Sequence, residues 1–151
     1  MKIEEAIKQK RFESDVQKAY LNIIYTAGWL QTKMKDMIRN YGITSQQYNV
    51  LRILRGKYPE NANPKDIKDV MLDKNPDLTR LCDRMLKLGY IERAVCESNR
   101  RKMNIAITEK GLALLEELDP IVLSLFDQIS ENAKIDFSIL SDMLDEIRHE
   151  E

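Results

Sequence analysis

Residues 74–111 read KNPDLTRLCDRMLKLGYIERAVCESNRRKMNIAITEKG, and this stretch decides the fold. In its first part Leu78, Leu81, Cys82, Met85 and Leu86 fall on one side of a 3.6-residue period, the stripe of an amphipathic helix. Asn75 and Pro76 read as the cap and first-turn residue of that helix, and Gly89 as its stop. Residues 90–95 and 103–107 then alternate apolar and polar side chains, as half-buried strands do. Between them the polar tip Glu97-Ser98-Asn99-Arg100-Arg101-Lys102 ends in three consecutive cations. A helix is thus followed at once by a β-hairpin with a basic tip.

Upstream, Asn63-Pro64 repeats the cap-plus-proline device and opens a short helix with Ile67, Val70 and Met71 directed inward. Two short helices joined by such a turn make a helix-turn-helix pattern, and a basic hairpin directly after it is a wing. Thr44-Ser45-Gln46-Gln47 reads as a capping box that starts a helix running to residue 57 and burying Tyr48, Leu51 and Leu54. A polar loop at residues 58–62 follows it. Before that, Val16, Tyr20, Ile23, Ala27, Leu30, Met34, Ile38 and Tyr41 recur every three or four positions until Gly42. A small core cannot cover so long a stripe, so part of it, Trp29 included, is expected to need another surface. On the other side, Thr108 caps a helix through Leu112, Leu115 and Leu118. Asp119-Pro120 is expected to kink or restart that helix, with Asp119 as a new cap. The stripe resumes at Val122, Leu125, Phe126 and Ile129, and a last helix carries Ile139, Leu140, Met143, Leu144 and Ile147.

The expected fold is therefore mainly α with a small β-hairpin wing: a winged helix-turn-helix, about residues 43–111, flanked by long N- and C-terminal helices in residues 1–42 and 112–151. A chain of 151 residues fits a single domain that buries roughly 70% of its unfolded surface. Hydrophobic content of 43% with 32% charged residues suits a folded, helix-rich protein. No apolar run approaches the roughly 18 residues of a membrane span. The opening Met1-Lys2-Ile3-Glu4-Glu5 has no apolar signal-peptide core, so a cytoplasmic protein is expected. Two cysteines make no disulfide framework, and the single histidine, His149, argues against a His-rich metal site. Without metal-ligand spacing, a glycine-rich phosphate loop or a nucleophile–base arrangement, neither an enzyme nor a cofactor is expected. The net charge of -1 hides an asymmetry. Residues 74–102 hold eight basic side chains (Lys74, Arg80, Arg84, Lys87, Arg93, Arg100, Arg101, Lys102) against four acidic ones (Asp77, Asp83, Glu92, Glu97). A local basic patch on an acidic molecule is the footprint of a nucleic-acid binder.

Three ordered segments carry a resemblance. Ile43-Thr44-Ser45-Gln46-Gln47-Tyr48-Asn49-Val50-Leu51, then Leu78 onward through Gly89-Tyr90-Ile91-Glu92-Arg93, then Asn99-Arg100-Arg101 with Ile107-Thr108-Glu109-Lys110-Gly111, resemble the pattern of the MarR (multiple antibiotic resistance regulator) family. The resemblance covers nearly the whole chain. It implies a sequence-specific transcription regulator, a ligand-responsive repressor that acts as a homodimer on pseudo-palindromic double-stranded DNA. It also implies dimerisation through the flanking helices, a recognition helix in the major groove and a wing in the neighbouring minor groove. Thr79 and Arg80 would then lie at the start of the recognition helix, with Arg84 one turn further on the same side. Arginine can bond guanine bidentately, and threonine can reach a base or a phosphate. Arg101 matches the wing arginine of the minor groove, while Arg100 and Lys102 are read as phosphate contacts. The competing reading is a winged-helix protein-interaction module that does not read DNA. The cationic wing and the outward Arg80 and Arg84 favour the first.

The chain departs from the family pattern in places. Pro76 and Asp77 stand where relatives carry small hydroxyl residues, and Asn99 stands where the wing usually has aspartate. Asp77 has two readings: it favours the positive end of the helix, or it accepts from a cytosine amino group. Cys82 is expected to be a buried structural thiol, with Cys96 at the foot of the wing more open to oxidants. Trp29, Met34, Met37 and Tyr48 are either part of the core between protomers or the lining of a cavity for a small aromatic or anionic effector.

Overall fold

In a computed structural model of the chain, residues 1–95 and 103–149 are described. The order is α1 (Ile3–Ala6), α2 (Asp15–Ile38), a 3₁₀ turn (Arg39–Tyr41), α3 (Ser45–Lys57), α4 (Pro64–Val70), α5 (Leu78–Leu88), β1 (Ile91–Val95), β2 (Met103–Ile107), α6 (Glu109–Asn132) and α7 (Phe137–Ile147).

Helix starts follow the local chemistry of the sequence. The Thr44 hydroxyl accepts from Gln47 N–H at 3.2 Å, and the Gln47 side chain accepts from Thr44 N–H at 2.9 Å. This reciprocal capping box satisfies two amides that the helix cannot pair internally. Asn63 Oδ1 accepts from Asp66 N–H ahead of Pro64, and Thr108 Oγ1 accepts from Gly111 N–H ahead of α6. At the far end of α2 the helix tightens into the 3₁₀ turn, and Gly42 closes it with φ +70°, where a side chain would be strained.

Four details differ from the sequence reading. The cap of α5 is Asp77, whose Oδ1 accepts from Arg80 N–H at 3.1 Å, and not Asn75. Asn75 instead donates its N–H to Asp73 Oδ1 at 2.9 Å, so the chain is still turning when it reaches Pro76. Val70 points outward: α4 is only two turns long, and Ile67 and Met71 already fill its inner face. α6 runs unbroken through Pro120, and Asp119 caps nothing because its carboxylate is held by Arg55. Finally, the short α1 packs on α2 through a buried Ile3 and a Glu4–Lys18 ion pair; no periodicity announces a helix of four residues.

The core lies where α3 crosses α6 and the α4–α5 unit folds beneath them. Ile38, Leu51, Leu54, Ile67, Met71, Met85, Leu115 and Leu118 are all buried there. β1 and β2 pair antiparallel from Ile91↔Ile107 to Val95↔Met103. Ala62, in the loop before α4, joins this ribbon, donating its N–H to Ile105 O at 2.9 Å and accepting from Ile105 N–H at 2.8 Å. The wing therefore grows from a backbone that is tied on both sides of β2.

Beyond that core, apolar surface is left uncovered. Val16, Tyr20, Ile24 and Trp29 on α2, Leu123 and Phe126 on α6, and Ile139, Met143 and Ile147 on α7 are exposed. Every residue of α7 lies outside the core. Among the described residues, no helix is long and apolar enough to cross a membrane.

Candidate nucleic-acid interface

α5 divides cleanly. Leu78, Cys82 and Met85 are buried, whereas Thr79, Arg80, Asp83, Arg84 and Lys87 face outward. Thr79, Arg80 and Arg84, read from the sequence as one outward group, thus lie together on the free face of the helix. Asp77 is exposed at its N-terminal end, but its carboxylate is engaged in the cap. The helix-end reading of Asp77 accordingly accounts for its position, with the negative charge at the positive end of the helix. Asn99, Arg100, Arg101 and Lys102, like Cys96, lie outside the described residues.

Several contacts that sequence patterns do not single out hold this helix in place. Before it, Asn49 Oδ1 on α3 accepts from Leu72 N–H at 3.0 Å, and Gln46 Nε2 donates to the Asp73 carboxylate. The turn between α4 and α5 is therefore pinned to the outer face of α3. Along the helix, Asp83 pairs with Arg93 of β1 at 3.5 Å, linking the free face to the wing. Both side chains are more than half exposed, so the pair aligns the two elements more than it stabilises them.

The C-terminal end is latched to α6. Gly89 adopts φ +74°, and Tyr90 N–H returns to Met85 O at 3.1 Å. Lys110 Nζ donates to Leu88 O at 2.8 Å and lies over the Tyr90 ring, 5.0 Å from its centroid. A cation on the last carbonyls of a helix opposes the negative end of its dipole. Thr108 Oγ1 donates to Gly89 O at 2.7 Å while accepting from Gly111 N–H at 3.1 Å, so one hydroxyl serves both helices. The sequence signals only Thr108 as a cap; the partners that Thr108 and Lys110 meet at the end of α5 are 18 or more positions away.

Beneath α5, a cleft of about 450 Å³ opens between α4, the start of α5 and the wing. Lys65, Lys68 and Arg93 bring positive charge to it, Asp77 and Asp83 negative charge, and Leu78, Cys82 and Ile105 supply apolar wall. Burial, with the Asp83 carboxylate second, pushes the Cys82 thiol up to about 11, so it stays protonated and inert, as expected of a structural cysteine. Trp29, Met34, Met37 and Tyr48 are not part of this cleft. Tyr48 is buried in the core, Met34 and Met37 pack partly buried against it, and Trp29 is exposed on α2 with Lys33 over its ring. The structure does not bring the four together around one opening.

Residues 43–103 match the model of the MarR family, the span that holds the capping box, both helices of the turn and the first strand of the wing. The chain is similar to a MarR transcription factor from Planctomyces limnophilus, with 31% identity over 91% of this chain and 95% of that one, at a TM-score of 0.68. It shares the fold of a mutant MarR from Escherichia coli crystallised with operator DNA, at 22% identity over 83% of this chain and 91% of that one, TM-score 0.71. Among curated proteins it is similar to the HTH-type transcriptional regulator PecS of Dickeya dadantii (strain 3937), 27% identical over 86 residues, which are 56% of this chain and 52% of PecS. The chain thus spans about half the length of the curated relatives it matches. With the winged helix-turn-helix in place, a family match across its reading unit and a 31% identical relative aligned end to end, this chain belongs to the MarR family.

Proposed function

We propose that the chain is a sequence-specific DNA-binding transcription regulator, a ligand-responsive repressor working as a cytoplasmic homodimer on a pseudo-palindromic operator. The observation that carries this reading is the free face of α5. Thr79, Arg80 and Arg84 share one side of a short helix that is capped by Asp77, latched by Lys110 and flanked by a wing. A helix of this kind enters the major groove, and its arginines meet guanine edges or phosphates. The wing residues Asn99, Arg100, Arg101 and Lys102 would follow the adjacent backbone, with Arg101 entering the minor groove.

Two substitutions test this division of labour. Arg80→Ala is expected to relax discrimination at one base pair, at a cost of about 1–3 kcal/mol for the preferred base. Arg101→Ala is expected to weaken binding to all sequences and to lower the salt slope by about one, leaving discrimination nearly intact. Competition titrations with single-base operator variants separate the two. Equal loss of discrimination in both variants counts against the assignment.

The homodimer is supported by the exposed apolar residues that α2, α6 and α7 each carry. Ile139 and Met143 are more than half exposed in the single chain, and charge at such a position in an apolar interface is costly. Met143→Glu is therefore expected to reduce the sedimentation mass from twice 17.7 kDa towards that of one chain. A parent chain that sediments as a monomer at micromolar concentration removes the dimer from the account. Responsiveness to a small aromatic or anionic effector is supported by the cleft beneath α5, where Lys65 and Lys68 stand beside apolar wall against the helix proposed to read DNA.

A further inference from the structure

Arg55 and Asp119 form the one contact in which a guanidinium and a carboxylate meet by two hydrogen bonds among the described residues: Nη1 to Oδ2 at 2.6 Å and Nη2 to Oδ1 at 3.1 Å. Two parallel bonds fix the orientation of both groups, unlike a single flexible contact. Arg55 stands in the last turn of α3, inside the reading unit, and Asp119 stands midway along α6. Both side chains are about two-thirds buried, and they lie 64 positions apart in the chain.

The place on α6 matters as much as the pair. Asp119 precedes Pro120, which has no N–H to return to the carbonyl one turn back, so the helix is short of one bond there. One turn later Ser124 Oγ donates to Ile121 O at 2.7 Å, the back-bonding that lets a helix bend. Before this turn, Leu114, Leu115 and Leu118 are buried in the core; after it, Val122 and Leu125 stay buried while Leu123 and Phe126, elsewhere on the helix surface, are exposed. The turn therefore lies where α6 passes from a stretch packed on the winged helix to one that, besides its buried side, presents the apolar residues proposed to meet the second copy. Tyr48, Arg52 and Glu116 surround the pair with further charge and polarity, contributed by both helices.

We propose that Arg55 and Asp119 are positioning residues for DNA recognition: a two-bond brace that holds the winged helix at a set angle on α6 and so sets the separation of the two recognition helices. The proposal rests on the dimeric DNA-binding reading. A two-fold regulator must place its helices in successive major grooves, and that spacing is set by the joint between reading unit and dimer stem. Without the brace, the soft turn at Pro120 lets the reading units swing, and half-sites at neighbouring spacings become nearly equivalent.

The test uses the full-length parent, Asp119→Asn, which keeps the shape but removes the charge, and Asp119→Glu, which restores a carboxylate. Each is titrated against its selected operator and against versions with one base pair added or removed between half-sites; urea unfolding is measured alongside. The parent should prefer its own spacing by about tenfold or more. Asp119→Asn should narrow that preference to about threefold or less while its affinity for a single half-site is unchanged, and Asp119→Glu should recover most of it. A spacing preference in Asp119→Asn equal to the parent's overturns the brace, whatever happens to stability. Absence of DNA binding by the parent overturns the brace together with the regulator reading, and the parent titration alone reveals which has failed.

Discussion

Leu115→Ala is expected to remove about 3–4 kcal/mol of unfolding free energy and to lower the melting temperature by roughly 10 °C. Leu115 is wholly buried on α6, within the cluster that includes Leu51 and Leu54 of α3 and Met85 of α5. The substitution deletes three buried carbons and leaves a void where helices of three different units converge, so collapse around it is limited. The matched surface control is Leu72→Ala in the turn before α5, where the side chain is exposed. Urea denaturation of both variants, carried out at a concentration where the parent's assembly state is known, checks the contrast. A Leu115→Ala cost below about 1 kcal/mol would place the core elsewhere.

Gly111→Ala has the second large effect, and its sign runs against helix propensity. Alanine in the first turns of a helix normally gains up to about 1 kcal/mol over glycine. Here the added Cβ would stand 2.3 Å from Tyr90 O and 2.8 Å from Ile107 Cγ1. Tyr90 O cannot simply retreat, because it accepts from Thr108 N–H at 3.1 Å. Relief requires the wing strands and the end of α5 to move away from α6, an overpacking strain worth about 1–3 kcal/mol or more. A net loss of about 2 kcal/mol is expected, along with DNA affinity that falls further than the stability change explains, since Gly89 and Tyr90 carry the end of the recognition helix. Denaturation and operator titration of this variant give both numbers. An unchanged or more stable Gly111→Ala protein would show that the close packing of α6 on the wing is not a constraint.

Elements of this molecule were legible where the physics is local. Thr44, Asn63 and Thr108 each cap the helix they precede because a short polar side chain reaches the amide three residues ahead, a contact that needs no distant residue. The alternation of residues 91–95 and 103–107 is equally local, and the hairpin follows. At the start of α5 the Asn75-Pro76 pair is the local signal for a cap, but Asn75 turns back to Asp73 and the cap falls to Asp77. At Asp119-Pro120 a local signal for a break is overridden by Arg55, 64 residues away, together with the apolar face on either side.

The site was legible in part. The outward grouping of Thr79, Arg80 and Arg84 follows from helical period alone, as the complement of the Leu78–Cys82–Met85 face. What fixes that helix does not: Asn49, Asp73, Arg93 and Lys110 come from four other segments, and periodicity assigns a side chain to a face without naming what it meets. For Trp29, Met34, Met37 and Tyr48 periodicity leaves open whether they face a second protomer or a cavity; in the single chain they lie apart from the cleft formed by α4, α5 and the wing.

Selection from a random double-stranded DNA pool, followed by titration of the enriched sequence at rising salt, decides whether the free face of α5 reads DNA in a two-fold arrangement. Two inverted half-sites about one helical turn apart are expected, with affinity that falls about a thousandfold between 50 and 200 mM salt as phosphate contacts release their counterions. A pool that yields no enriched sequence, or binding that salt leaves unchanged, would contradict this reading.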